Sequence, residues 1–460
     1  MAADQTTVMR RSRPVGLWMS AAIAMASLPG AAAQAQQPNA AKAPALIFEN
    51  VRVFNGTTLT GPTNVPVVGN TIRSIAAAPI ADPPGAEVVR IAGRGRTLMP
   101  GLIDVHVHLT FGVLSQAQMM SPDFTDKQAE DAAAEGAAKM LLRGFTSVRD
   151  VGGPIFGLKR RIDSGKSPGP RIWPSGAVVS QTAGHGDFRL PNEPSRRFTG
   201  KLSYAEQHGA NFIADGRDEV LTAVRENLRM GASQIKLMAG GGTSSAYDPI
   251  DVTQYTLDEM EAAAEAAEDW GTYVTVHACT PRAVRRAIDA GVKCIEHGQL
   301  LDEATLWLMA KKGVWLSAQN LVESTPKMDP ARMEKRKEVV EGNSRVWPLA
   351  KKLGVKLAWG TDFLFEPELN EQQNRYLLRL KQWFTPAEIL KMVTHDNAQL
   401  LALSGKRSPY PGKLGMVEEG ALADLILVEG DPLANIDLIG EPARNFAYIV
   451  KDGVIVKGNR

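Results

Sequence analysis

The chain has 460 residues, 44% of them hydrophobic and 22% charged, enough to bury one large core and a smaller second one. A formal net charge of +2 gives no support for a nucleic-acid or anionic-membrane partner, and two cysteines, Cys279 and Cys294, exclude a disulfide scaffold.

Met1 to Ala35 reads as a secretory signal. Arg10, Arg11 and Arg13 precede the apolar run VGLWMSAAIAMASLPGAAA, which ends in the cleavage pattern Ala33-Gln34-Ala35. Pro29 and Gly30 break the run, which argues against a transmembrane anchor, and Met9 and Arg13-Pro14 fit a twin-arginine signal poorly. Without those three arginines and Asp4, the mature chain carries 49 basic and 49 acidic side chains. A protein that is secreted or periplasmic, and free of the membrane after cleavage, is expected.

Residues 36–44 are a polar, Ala/Pro-rich linker. From 45 to 97, ALIFENVRVFNG and VPVVGNTIRSIAA alternate and turn like β-hairpins. The same texture returns over 406–460, in GALADLILVEGDP and in AYIVKDGVIVKG, where Asp452-Gly453 separates two short runs. Both ends together predict one small composite β-sandwich.

Between them, over 98–405, eight β-like runs alternate with helical stretches such as KQAEDAAAEGAAKMLLRG and PRAVRRAIDAG. The runs are LIDVHVHL, FTSVRDV, RIWPSGAVVS, SQIKLMAGG, YVTVHAC, KCIEHG, VWLSAQ and KLAWGTD. This is the profile of an α/β fold, a (β/α)₈ TIM barrel. A doubly wound sheet would need a glycine-rich phosphate turn after its first strand, and DVHVHLT has none.

Barrel chemistry sits at the carboxyl ends of the strands. His106 and His108 end the first run, Lys236 the fourth, His277 the fifth, His297 the sixth and Asp362 the eighth. Two residues apart on a strand, His106 and His108 face the same side. A satisfied core histidine is the ordinary reading of any one of these positions, and a helix cap that of Asp362. Together they are stronger: four of seven histidines fall at strand ends facing one cavity. Four imidazoles and a carboxylate suit divalent zinc or a similar borderline metal, and exceed what one tetrahedral catalytic ion with an open position can use. Two divalent metal ions follow, and two close cations call for a bridging anion. By strand parity Cys279 shares a face with His277, whereas Cys294 points away from the face of His297, so the two thiols are expected to stay unpaired.

PGLIDVHVH, the strand-four lysine, VHA, EHG, GTD and the terminal GALADLILV resemble the amidohydrolase superfamily over essentially the whole mature chain. The sequence is most similar to the branch of imidazolonepropionase-like proteins, Xaa-Pro dipeptidases and ochratoxin-hydrolysing amidases. The resemblance implies a binuclear centre in which His106, His108 and Asp362 hold one ion and His277 and His297 the other. Lys236, as N6-carboxylysine, would bridge them. True imidazolonepropionases are mononuclear and lack this lysine, which argues against that reaction.

The implied activity is hydrolysis of an amide or peptide bond to a C-terminal amino acid, in Xaa-Pro dipeptides, N-acyl amino acids or ochratoxin-like amides. A bridging hydroxide would attack the carbonyl, and Asp362 would pass its proton to the leaving amine. His185, in GHGD, would contact substrate or the developing oxyanion. Cys279 stands where relatives often carry the tyrosine of HAYT, a substrate contact. Gly240, Gly241, Gly242 and the loop TSSAYDPIDVTQY, with Tyr255 in it, are expected at the substrate rim, His208 at the surface, and His395 at the start of a late helix. Relatives are commonly homo-oligomers, sometimes octamers. The alternatives are a lactonase, deaminase or cyclic-amide hydrolase on the same site, and a non-catalytic binding protein of this fold.

Overall fold

A computed structural model describes residues 44–458, apart from 120, 122, 246 and 320–329. The expected signal over 1–35 and linker residues 36–43 lie outside the described residues. No helix among the described residues is long and apolar enough to cross a membrane.

The first five strands are β1 (Pro44–Phe54), β2 (Leu59–Val68), β3 (Thr71–Ile72), β4 (Glu87–Ala92) and β5 (Thr97–Pro100). The last three are β16 (Leu425–Val428), β17 (Phe446–Lys451) and β18 (Val454–Gly458). They form one sheet from both ends of the described chain, ordered β18-β17-β16-β5-β1-β2-β3, with β4 beside the first half of β1. The Ile72 N–H donates to the Ala421 carbonyl at 2.9 Å, so the sheet curls back around a core that includes Phe48, Val65, Leu98 and Leu425. Leu98 to Pro100, expected to open the barrel, belong to this sheet, because β5 pairs antiparallel with β16.

The barrel strands are β6 (Leu102–Val107), β7 (Phe145–Asp150), β8 (Arg171–Pro174), β9 (Val178–Ser180), β11 (Ile235–Met238), β12 (Val274–Ala278), β13 (Cys294–His297), β14 (Trp315–Ala318) and β15 (Lys356–Trp359). A short β10 (Asn211–Ile213), absent from the sequence expectation, pairs with β9. The third expected run divides into β8, which pairs with β7, and β9, which pairs with β11. Asn227 spans the break, its carboxamide donating to the Ala177 carbonyl at 2.8 Å and accepting the Ala177 N–H at 3.0 Å. From β6 to β15 the pairing is otherwise continuous and parallel.

No ladder joins β15 to β6. Side chains close that seam. Asn397 donates to the carbonyls of Ile103 at 2.7 Å and Trp359 at 2.9 Å, one from each strand. It follows a π-helical turn (Met392–Asp396) inserted between the α-helices Pro386–Lys391 and Asn397–Leu401. His395 therefore lies inside this run rather than at a helix start. Across the same seam Asp104 accepts from the backbone and hydroxyl of Thr361, at 3.1 and 2.8 Å.

Helices cover the outside for local reasons. The helix Asp126–Leu142 starts at a Thr125 capping box, buries Ala133, Ala134, Ala137, Met140 and Leu141, and is followed at Gly144 by a left-handed backbone, φ 92°. Removing such a cap costs about 1 kcal/mol.

Candidate active site

His106, His108, Lys236, His277, His297 and Asp362 all line one cavity of about 690 Å³ at the carboxyl end of the barrel. Among the described residues, ligand-capable atoms of His106, His297 and Asp362 lie within 4.8 Å of one another. Asp362 Oδ1 is 3.2 Å from His106 Nε2 and 3.4 Å from His108 Nε2, and Oδ2 is 3.8 Å from His297 Nδ1. His277 lies beside His297, ring centroids 4.2 Å apart, and outside the closest cluster.

Two of these residues have positive φ, 78° at His297 and 55° at Asp362, a sparsely populated region for side-chain-bearing residues. At His297 the strand ends and its alternation is broken. Glu296 and Cys294 face the barrel interior, and the left-handed turn lets His297 line the cavity as well. This corrects the parity reading of Cys294, whose Sγ lies 3.8 Å from Arg149 Nη1 and 3.4 Å from Glu296 Oε1. Both thiols are free and buried, and Cys294 pairs with Thr275, four residues before Cys279. About 13 Å of strand separates their levels. Gly360 permits the approach of the eighth strand end, since a Cβ there would lie 2.4 Å from His106 Cβ. The Asp362 N–H then donates to the His106 carbonyl at 2.8 Å.

Hydrogen bonds assign the free nitrogens. His108 Nδ1 faces the Gly152 carbonyl at 2.9 Å, His277 Nε2 the Gly241 carbonyl at 3.1 Å, and His106 Nδ1 the Glu296 carboxylate at 2.7 Å. Each of these nitrogens must donate, which in a neutral ring leaves the other nitrogen with a lone pair; at His106 burial opposes the charged form, but the Asp362 carboxylate outweighs it and raises the imidazole above its usual range. Burial pushes His108, His277 and His297 below the usual imidazole range, so they are neutral donors of electron pairs. Burial alone would raise Asp362, but His106, His108 and His297 hold its carboxyl well below the ordinary range.

Glu296 is a residue that sequence reasoning missed. It is fully buried and receives Arg149 Nη2 at 2.5 Å and the Thr275 hydroxyl, while its other oxygen holds His106. Burial would raise its pKa, but Arg149 keeps it well below the carboxylate range. The IEHG segment displays the residue; its partners come from strands far away in sequence.

Lys236 is 1% exposed and has no hydrogen-bond or ion-pair partner among the described residues. Burial lowers its pKa. An unpaired buried ammonium is expensive, so the amine is driven toward its neutral form.

Residues 97–460 match the model of the amidohydrolase family. The chain belongs to that family. It is 32% identical over 378 residues to an ochratoxinase from Aspergillus niger, covering 78% of this chain and 76% of that one. Its fold is similar to a prolidase crystallised with N-methylphosphonate-L-proline, at TM-score 0.82 and 31% identity over 90% of this chain and 100% of the other. A Xaa-Pro dipeptidase with methionine in its active site gives 0.77 and 28%, again over 90% and 100%. The protein is a hydrolase acting on amide bonds, with a TIM barrel and an additional β domain.

The remaining expected contacts of this amidohydrolase divide. His185 lines the cavity and stacks on His277, with centroids 3.9 Å apart. Cys279 also lines it; burial pushes the thiol up to about 12, so it stays a weak neutral donor. The rim begins at Thr243, whereas Gly242 packs against His185, where a Cβ would lie 2.1 Å from the ring. Tyr255 does not line the cavity. It is 2% exposed and its hydroxyl donates to the Ala214 carbonyl at 3.0 Å. Tyr255→Phe is therefore expected to lower stability by about 1 kcal/mol and to leave KM unchanged, readable from urea unfolding and steady-state kinetics. His208, expected at the surface, stands at the cavity mouth, 2.6 Å from Asp126.

Proposed function

We propose that the protein is a binuclear metal-dependent amidohydrolase that releases a C-terminal amino acid from an N-acyl amino acid or Xaa-Pro dipeptide. The observation that carries this reading is the convergence of bare acceptors. His106 Nε2 is buried without a hydrogen-bond partner among the described residues and faces the Asp362 carboxylate, with His108 and His297 beside it, so positive charge, a proton or a metal ion, is called for between them. His106, His108, His277, His297 and Asp362 would hold two divalent ions, zinc by the donor set, with carboxylated Lys236 as the bridging anion. Bound there, the ions supply Lewis acidity and a water that ionises near neutral pH.

The chain's own groups do the rest. His185 would meet the carbonyl oxygen as negative charge develops on it. As the water oxygen bonds to the carbonyl carbon, Asp362 would take the released proton and return it to the amine nitrogen when the C–N bond breaks. Phe111, Phe188 and Phe365 give the cavity an aromatic wall suited to an apolar acyl or amino-acid side chain. Arg332 and Arg336, one helical turn apart, line the same cavity and suit a substrate carboxylate. Export and homo-oligomerisation are proposed alongside, to be read by periplasmic fractionation and size-exclusion chromatography.

The test is a panel of N-acyl-phenylalanines, Xaa-Pro dipeptides, lactones and cyclic amides, run on protein purified without chelator and on the same protein after chelation and zinc return. Fastest turnover on the first two classes, lost with the metal and restored by zinc, is expected. A preference for lactones or cyclic amides, or undiminished activity without metal, would overturn the reading.

A further inference from the structure

Asp248 is 1% exposed, and nothing in the proposed chemistry uses it directly. Its carboxylate is surrounded by donors. The Gly242 N–H reaches Oδ2 at 3.0 Å, Gln254 Nε2 reaches Oδ2 at 3.3 Å, and the Ser245 hydroxyl bonds Oδ1. His185 Nδ1 lies 3.2 Å from Oδ2 and 2.8 Å from the Ser245 oxygen. Because Ser245 gives its proton to Asp248, both atoms facing Nδ1 are acceptors. Nδ1 must therefore donate, and Nε2 is the nitrogen left for the cavity, with the Ser244 hydroxyl 3.3 Å from it.

The rest of the loop is arranged around the same ring. Gln254 Oε1 accepts the His185 backbone N–H at 2.9 Å. Lys335, on the helix Pro330–Leu353, donates to the Asp248 and Ser245 carbonyls at 2.6 and 3.2 Å and ties the loop to the start of that helix. His277 stacks on the imidazole with an interplanar angle of 20°, and Gly242 lies against the ring atoms Cε1, Nδ1 and Nε2. A ring confined by its neighbours and anchored at one nitrogen presents the other in a fixed direction. Burial alone would raise the Asp248 carboxyl, but the His185 and Ser245 hydrogen bonds hold it below the ordinary range.

We infer that Asp248 is a positioning residue for amide hydrolysis: through Nδ1 it sets the orientation of His185 and so aims Nε2 at the scissile amide. This rests on the proposed role of His185. A loosely held ring spends less time in productive geometry, which lowers kcat more than it raises KM.

The experiment compares Asp248→Ala, the isosteric Asp248→Asn, His185→Ala and the double variant on an N-acyl-phenylalanine, with metal content and unfolding midpoint measured on each. Asp248→Ala is expected to lower kcat by about 10²-fold and Asp248→Asn by about 10-fold, with KM within about threefold of wild type. In the His185→Ala background the second substitution should add less than about threefold. Should Asp248→Ala fail to fold, the isosteric variant decides by the same criterion. Wild-type kcat in His185→Ala would remove the reading on which the inference rests. An impaired His185→Ala with unimpaired Asp248 variants, or losses that multiply in the double variant, would overturn the positioning role alone.

Discussion

Lys236→Met is expected to lower amide hydrolysis by about 10³-fold or more while leaving the fold intact. Met fills the same linear volume, and because Nζ has no partner among the described residues, its removal orphans no buried group. Stability should stay level or rise slightly. The loss is expected because the proposed bridging anion can form only on an amine, and a neutral amine is what burial favours at this position. Metal analysis should show fewer ions retained per chain than in wild type. A Lys236→Met protein with wild-type kcat and full metal content would end the bridging role.

Glu296→Ala is expected to have the largest effect on stability, about 3–5 kcal/mol, because it strands the fully buried Arg149 without its carboxylate. The midpoint of urea unfolding should fall accordingly. Arg149→Met should do the same, and Glu296→Leu combined with Arg149→Met should cost much less than the two single losses together. A second effect is separable in the folded fraction. Without Glu296, His106 Nδ1 loses the partner that turns Nε2 toward Asp362, and metal retention should weaken by about 10- to 100-fold. Glu296→Ala protein with wild-type unfolding and wild-type metal affinity would show that the buried network contributes neither.

Much of the architecture is written locally. The eight runs, the helices between them and the two flanking β segments follow from period, turn residues and caps, which neighbours in sequence settle. The clustering of His106, His108, Lys236, His277, His297 and Asp362 was legible for the same reason: in a barrel, being at a strand's carboxyl end already specifies the side of the molecule. Alternation misleads only where the backbone leaves the extended region. Cys294 was misjudged because φ 78° at His297 breaks the alternation.

Three matters were decided by tertiary structure alone. Whether Tyr255 meets the cavity or the core depended on the Ala214 carbonyl beside it, 41 residues away. The seam between β15 and β6 closes through Asn397, which no strand pattern announces. The partners that orient the site, Glu296 on His106 and Asp248 on His185, are 190 and 63 residues distant in the chain. Sequence by itself determined which chemical groups this protein owns and at which end of the barrel they emerge, because those depend on short-range periodicity. Which nitrogen of each imidazole is free, and which charge balances which, only the folded chain could decide, since those follow from contacts that exist once distant strands are packed together.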